Sequence, residues 1–418
     1  MPRSFFSPPL RFLSGLAFAS LPLAASAAVI GTNPPAPPLS PERIAPLPAA
    51  QQTAWRDYLT RSQRALAADT KFYAGEIKAA GLTEALVPPK GSGPSLKEPA
   101  AFYASAEARR IAENVVSFQT PAGGWNKNTD FAAHPRRPGE RSGYEAGYVG
   151  TFDNDATMTP LAFLARVISA GNADRPEASP LRASFQRGIE YILGAQFPNG
   201  GWPQVWPLEG GYHDMITFND GAIINLLTLL REVAGGNAPY AFVASDLRAR
   251  AAASITRGVD CILATQIVFG GRRTVWCQQH DPFTLTPASA RNYEMPSQSS
   301  SESAGIMIYL MAIPNPSPAV VASVRAAAAW FQKTALHDVT FNTAPGETDR
   351  QLHHVAGSPA LWPRYAEIGS DRPLFGDRDK TIHDNVDEIS AERRNGYAWF
   401  NTHPTRALAL FEKWNAQR

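Results

Sequence analysis

Cysteine is nearly absent from this chain: 418 residues hold only Cys261 and Cys277. Two thiols cannot form a disulfide scaffold, so a packed core must hold the fold. One bridge from a helix to the following loop, or two buried free thiols, both remain open. No apolar run approaches the roughly 18 residues that a membrane span needs. An excess of charge is also missing, with 39 Lys and Arg against 37 Asp and Glu and a formal net charge of +2. Attraction to an acidic partner must therefore come from local Lys and Arg in a cleft, and nothing indicates a nucleic acid. Zinc spacings of the His-x-x-x-His or Cys-x-x-Cys type are absent, as is the Asp-Asp-x-x-Asp pattern of magnesium-dependent cyclases. His280-Asp281 and His353-His354 therefore read as surface or structural groups. Strand signals are scarce, Arg273-Thr274-Val275-Trp276 being the best short candidate.

What is present begins with a leader. Met1-Pro2-Arg3, an apolar stretch from Phe12 to Ala25 and the small-x-small site Ala25-Ser26-Ala27 make a secretory signal peptide over residues 1–27. Cleavage after Ala27 removes Arg3 and Arg11 and no acid, leaving a neutral mature chain. The product is expected to be secreted or periplasmic and to have no membrane contact once the leader is gone. Residues 28–50 are rich in proline and read as a linker or an arm laid on the surface. Residues 51–418 read as one domain.

That domain repeats itself. Gln119 leads to Gly123-Gly124-Trp125, Gln196 to Gly200-Gly201-Trp202, and Gln266 to Gly270-Gly271 and then Trp276, at intervals of 77 and 70 residues. Three occurrences at this period suggest stacked supersecondary units. In each, an apolar helical pattern runs into the Gln and a glycine break ends it. A longer polar loop follows, and a second apolar helix starts near Asp, Asn or Ser. Three such hairpins in tandem predict a mainly α fold, an (α/α)3 toroid with long irregular loops. Further helices are expected at about 52–80, 317–335 and 403–416, with an irregular segment at about 338–401. Loops after the Gln motifs should meet at one mouth, bringing together Lys127 and Asp153, then Asp214, Asn219 and Asp220, then Arg291 and Glu302. Trp125, Trp202 and Trp276 could stack on sugar faces or plug the hairpin ends.

Six phrases in this order carry a resemblance: Gly123-Gly124-Trp125-Asn126-Lys127-Asn128; Thr151-Phe152-Asp153-Asn154-Asp155-Ala156-Thr157; Gly200-Gly201-Trp202-Pro203-Gln204; Ile216-Thr217-Phe218-Asn219-Asp220-Gly221-Ala222; Trp276-Cys277-Gln278-Gln279-His280-Asp281; and Ala290-Arg291-Asn292-Tyr293-Glu294-Met295-Pro296-Ser297. Together they resemble the polysaccharide lyase family 10 pectate lyases over about residues 105–400. The resemblance implies a toroid, calcium as cofactor, polygalacturonate as substrate and Arg291 as general base.

The chemistry is consistent with that resemblance. Elimination from galacturonate removes the C5 proton, α to an ionised carboxylate, and expels the oxygen on C4. A divalent cation and positive side chains relieve the charge that builds up, and calcium prefers oxygen ligands. Asp153, Asp155 and Asp220 are the candidate metal ligands; their bland alternative is helix N-capping. An arginine is a demanding base, because its free pKa exceeds 12; the alternative for Arg291 is a carboxylate clamp. Lys127, Asn219, Arg273 and Arg378 are candidate substrate contacts, with Arg272 beside Arg273. Glu294 and Glu302 are possible ligands or positioners. The chain is expected to act as a monomer on this acidic polysaccharide. Two other readings stay open: a glycoside hydrolase with Asp153 and Asp220 as its acid pair, and a pectin-binding protein without activity.

Overall fold

Apolar residues at spacings of three and four build the helices that carry the chain. The computed structural model describes residues 28–147, 149–171 and 179–418; the leader expected at 1–27 lies outside the described residues. In chain order the helices are α1 (Pro41–Ile44), α2 (Ala49–Ala79), α3 (Ala106–Ser117), α4 (Met158–Ala170), α5 (Ser179–Ala195), α6 (Ala222–Gly235), α7 (Ser245–Thr265), α8 (Ser300–Met311), α9 (Pro318–Thr334), α10 (Ala391–Gly396) and α11 (His403–Asn415). The fold is mainly α. The three expected hairpins correspond to α3–α4, α5–α6 and α7–α8. Of these, among the described residues, only α3–α4 pack closely on each other; α4–α5, α6–α7 and α8–α9 are the other close consecutive pairs between α3 and α9. First helices α3, α5, α7 and α9 touch in series, and second helices α4, α6 and α8 form an inner row. Among the described residues, no helix is long and apolar enough to cross a membrane.

The repeated Gln and Trp explain how the hairpins lock together. Gln119 Nε2 donates to Gly123 O (2.8 Å) and to Ser184 O on α5 (2.9 Å). Gln196 does the same with Gly200 O (2.9 Å) and Ser254 O on α7 (3.0 Å). Gln266 reaches Thr274 O (2.8 Å) and Ser323 O on α9 (3.0 Å). Each amide thus closes its own turn and ties it to the next hairpin. The indoles answer the other half of each helix end: Trp125, Trp202 and Trp276 donate to Val115 O, Ile192 O and Ile262 O at 2.7–2.9 Å. All three are fully buried, so they are plugs and not sugar platforms. Trp362 repeats the pattern on Phe331 O of α9 (2.9 Å), and α11 then packs on α8 and α9. This fourth unit has no Gln motif, which hid it in the sequence.

The late segment corrects the expectation of irregular chain over 338–401. Its strands are two to four residues long, too short to show alternation. Three of them join two strands from outside the segment in one sheet, in the order 31–32, 381–383, 373–376, 365–366, 298–299. Its last strand leads directly into α8, so the sheet is fixed to the inner row. The Pro-rich arm therefore does lie on the domain: Gly31–Thr32 is an edge strand, Ile44 is buried, and Arg43 pairs with Asp281 at 2.5 Å. The strand candidate at Arg273 is realised only as a small hairpin, Val268–Phe269 against Arg272–Arg273. Cys261 and Cys277 are buried free thiols, not a bridge.

Replacing Gln196 by Ala strips partners from Gly200 O and Ser254 O in a buried site. The expected cost is about 2–4 kcal/mol, read as a lower urea midpoint by far-ultraviolet circular dichroism. An unchanged midpoint would show that the amide does not hold the hairpins.

Candidate active site

The loops that end at α4 and α6 share one backbone course. Thr151 N and Thr217 N each donate to the carbonyl of the preceding motif tryptophan, Trp125 or Trp202, at 3.0 Å. A short 3-10 turn follows in each. Asn154 and Asp155 then lie in the left-handed region (φ 50° and 57°), as do Asp220 and Gly221 (φ 49° and 76°). Asn, Asp and Gly are the residues that tolerate this conformation. The two loops align with Asp220 on Asn154 and Asn219 on Asp153, so the two candidate acids do not occupy equivalent places. Nor do these acids cap the helices; Thr157 and Gly221 occupy the N-cap positions of α4 and α6, with no side-chain cap bond.

The three loops converge. Lys127, Asp153, Asn219, Asp220 and Arg291 line one polar cavity of about 280 Å³, with Gln204, Tyr212 and Glu294 also in its wall. Asp155 faces a neighbouring cavity of about 180 Å³ that shares Lys127 and Asn154 with the first. Its carboxylate accepts from Asn225 Nδ2 (2.6 Å). Two candidates lie outside both cavities. Arg273 lines a separate pocket with Trp330 and Lys333 and donates to Leu263 O (3.1 Å); its hairpin turns it toward α9. Arg378 is exposed and held by Glu392 through two bonds of 2.9 Å, close to the Arg291 turn, since Asn292 Nδ2 donates to Arg378 O (2.9 Å).

Charge is tightly matched in the main cavity. Lys127 Nζ donates to Asp153 at 2.6 Å. Arg291 forms a two-pronged pair with Glu294, Nε at 2.9 Å and Nη2 at 2.5 Å. Burial alone would lower the Arg291 pKa, but the Glu294 bond and charge outweigh it and hold the guanidinium above its ordinary value. This conformation therefore keeps Arg291 protonated, opposite to the depressed pKa that a base needs. Asp220 is raised above the usual carboxylate range, first by burial; Arg364 opposes the rise, while Glu302 and Asp153 add to it.

Arg364 was not singled out in the sequence, where only the adjacent buried Trp362 and Tyr365 could have drawn attention to it. It sits at the bend between the strands 362–363 and 365–366, nearly buried. Its Nη2 donates to Glu302 (2.6 Å) and Asn219 Oδ1 (3.1 Å) and lies 3.7 Å from Asp220. Glu302 also accepts from Ser299 Oγ. Glu294 and Glu302 are thus each engaged by an arginine. The two guanidinium groups approach the ring of Tyr397, Arg291 at 5.7 Å and Arg364 at 4.9 Å from its centroid. Tyr397 in turn donates to Glu294 (2.7 Å). His280 plays no such part: it is buried, its Nε2 accepts from Cys277 N (3.0 Å), and burial lowers its pKa to about 4. Asp214 is also structural, accepting from Gly210 N (3.1 Å).

Among the described residues, no three His, Cys, Asp or Glu side chains group to hold a metal by themselves. The cavity wall instead carries three carboxylates, Asp153, Asp220 and Glu294, the last engaged by Arg291, and the side-chain amides of Asn154, Gln204, Asn219 and Gln279.

Comparison with known proteins agrees with this geometry. A family 10 polysaccharide lyase from Cellvibrio cellulosa superposes with a TM-score of 0.65 and 33% identity, over 78% of this chain and 99% of that one. An aspartate-to-alanine mutant of a family 10 polysaccharide lyase from the same organism, solved in complex with trigalacturonic acid, gives 0.66 and 31%, over 75% and 95%. No curated protein sequence matches significantly. The pectic acid lyase family matches residues 119–408, a span that holds Lys127, Asp153, Asp220, Arg291 and Arg364. The chain belongs to the pectic acid lyase family and is a polysaccharide lyase.

Proposed function

We propose that the protein cuts α-1,4-linked polygalacturonate by calcium-assisted β-elimination, with Arg291 as general base, leaving 4,5-unsaturated oligogalacturonates. The supporting observation is the meeting of Asp153, Asp220 and Arg291, from three different repeats, in the wall of one cavity large enough for a single sugar ring. A relative solved with trigalacturonic acid supports the substrate class. Export of the mature chain to the periplasm or beyond is part of the same reading and rests on the N-terminal pattern, as does action as a monomer on the predicted mouth.

The donor set fits calcium held partly by protein and partly by substrate. Asp153 and Asp220 would hold it, and the crowding of Asp220 by Glu302 and Asp153 is relieved by any added positive charge. A bound calcium ion would supply neutralisation of the C6 carboxylate and of the charge that grows as C5 loses its proton. The chain's own groups do the rest. Lys127 orients a uronate carboxylate from the α4 side. Arg364 fixes Asn219 and Asp220 against α8, so the two acidic loops keep their spacing. Once its pair with Glu294 opens and one guanidinium proton passes to solvent, the neutral Arg291 takes the C5 proton on a guanidine nitrogen as the C4–O bond breaks and the C4=C5 double bond forms, water protonating the expelled oxygen. Tyr397 keeps Glu294 hydrogen-bonded meanwhile. A hydrolase reading is weakened because Asp153 is already bound to Lys127 at 2.6 Å, a poor setting for a proton donor.

Arg291→Ala should reduce kcat about 10²–10⁴-fold, followed by ultraviolet absorbance of the unsaturated product at a temperature where the variant is folded. Its melting temperature should be lowered, because Glu294 loses its cation. Normal turnover would remove Arg291 from the role. Because Glu294 holds the guanidinium above its ordinary pKa, its neutral fraction shrinks as pH falls and grows as pH rises. The rate should therefore climb through pH 8–10, about tenfold per unit at most, with no acid-side optimum; a maximum near pH 6 would contradict an arginine base. Chelation should abolish product formation and added calcium restore it. Full rate in a thoroughly chelated sample would exclude the metal.

A further inference from the structure

The turn that presents Arg291 is gripped from outside the span matched by the family. Asn33, in the Pro-rich arm, is nearly buried, and its amide Nδ2 lies within hydrogen-bond distance of three backbone carbonyls: Arg291 O (3.0 Å), Asn292 O (2.9 Å) and Glu294 O (3.1 Å). Two N–H bonds serving three converging acceptors fill the concave side of this turn. The turn is closed within itself by Glu294 N to Arg291 O (2.8 Å) and Ala290 N to Glu294 O (3.0 Å). Asn292 O has Asn33 as its donor. The turn also lies against Gly376, where a Cβ would stand 2.5 Å from Tyr293 O. The turn is therefore held by both the Asn33 amide and a strand backbone.

Asn33 is itself held in place. Gly31 and Thr32 pair with Ile382 and Thr381, and Ile30 N and Asn33 N donate to Ile382 O (2.9 Å) and Lys380 O (2.8 Å). Farther along the arm, Arg43 pairs with Asp281 at 2.5 Å, and Ile44 enters the core. The arm is thus anchored on both sides of Asn33.

We propose that Asn33 is a positioning residue for the Arg291–Glu294 pair, so that the N-terminal arm forms part of the catalytic apparatus. A base must meet its proton within hydrogen-bond reach, and misplacement by about 1 Å can cost 10²-fold in rate. Asn33 acts on the backbone carrying both the base and the acid that holds it, and it does not line the substrate cavity. Its loss should lower the rate of chemistry more than substrate binding. This inference rests on the reading of Arg291 as base.

The test uses the full mature chain with Asn33→Ala and Asn33→Asp, assayed on polygalacturonate with calcium alongside Arg291→Ala. Asn33→Asp keeps the shape but turns a donor into a carboxylate facing three carbonyls. The expected order of kcat is parent, then Asn33→Ala about 10-fold lower, then Asn33→Asp lower still. KM should stay within about twofold and the melting temperature within a few degrees. A purely structural role would instead lower the melting temperature in step with activity, or make Ala the worse variant through its cavity. If Arg291→Ala is inactive while both Asn33 variants match the parent, the positioning role is overturned and the base assignment stands. If Arg291→Ala is active, the base assignment itself has failed.

Discussion

The architecture depends on one carboxamide used three times. A glutamine at the end of each first helix satisfies its own turn and a carbonyl on the next hairpin's first helix. Helix ends leave backbone groups without intrahelical partners, and a buried end must find them elsewhere. Here the partner is the neighbouring repeat, so one interaction both caps and stacks. It also fixes where the chain leaves each first helix, and hence where the following loop arrives. The indole plugs complete the ends that the amides leave. Three loops separated widely in sequence therefore reach one cavity by construction.

Within that cavity the acids outnumber what a small, partly buried space tolerates unless cations accompany them. Asp153 has Lys127, Glu294 has Arg291, and Glu302 has Arg364. Asp220 is left with the loosest partner, Arg364 at 3.7 Å, and the most exposed carboxylate of the four. Charge in and around the cavity is thus nearly but incompletely balanced, and the same balance keeps Arg291 protonated in this conformation.

Much of this was legible in the sequence, for definable reasons. The Gln-to-Trp period marks the hairpins because each repeat solves the same end problem with the same residues. Lys127, Asp153, Asp220 and Arg291 could be grouped because loops at one end of stacked hairpins must be neighbours. Arg364 could not, since it is a single bend residue between two two-residue strands, 362–363 and 365–366, which leave no periodic trace. Arg273 was misjudged because a hairpin of four paired residues reverses the chain locally and carries it toward α9. The one-place offset between Asp153 and Asp220 is readable by laying Thr151-Phe152-Asp153-Asn154 over Thr217-Phe218-Asn219-Asp220, and the backbone angles agree with it. The arm's role was equally hidden, since proline content announces an extended chain but not what it lies against.

The paired left-handed residues have a consequence of their own. Positions 154 and 220 share nearly the same torsion angles, φ 50° and 49°, and one carries an amide where the other carries an acid. Asn and Asp are nearly isosteric and both accept this conformation. The unit of negative charge could thus be moved from one hairpin to the other by exchanging two side chains, with neither loop remodelled. The scaffold separates the placement of charge from the shape of the backbone, and so the cavity's electrostatics can drift while its geometry stays fixed.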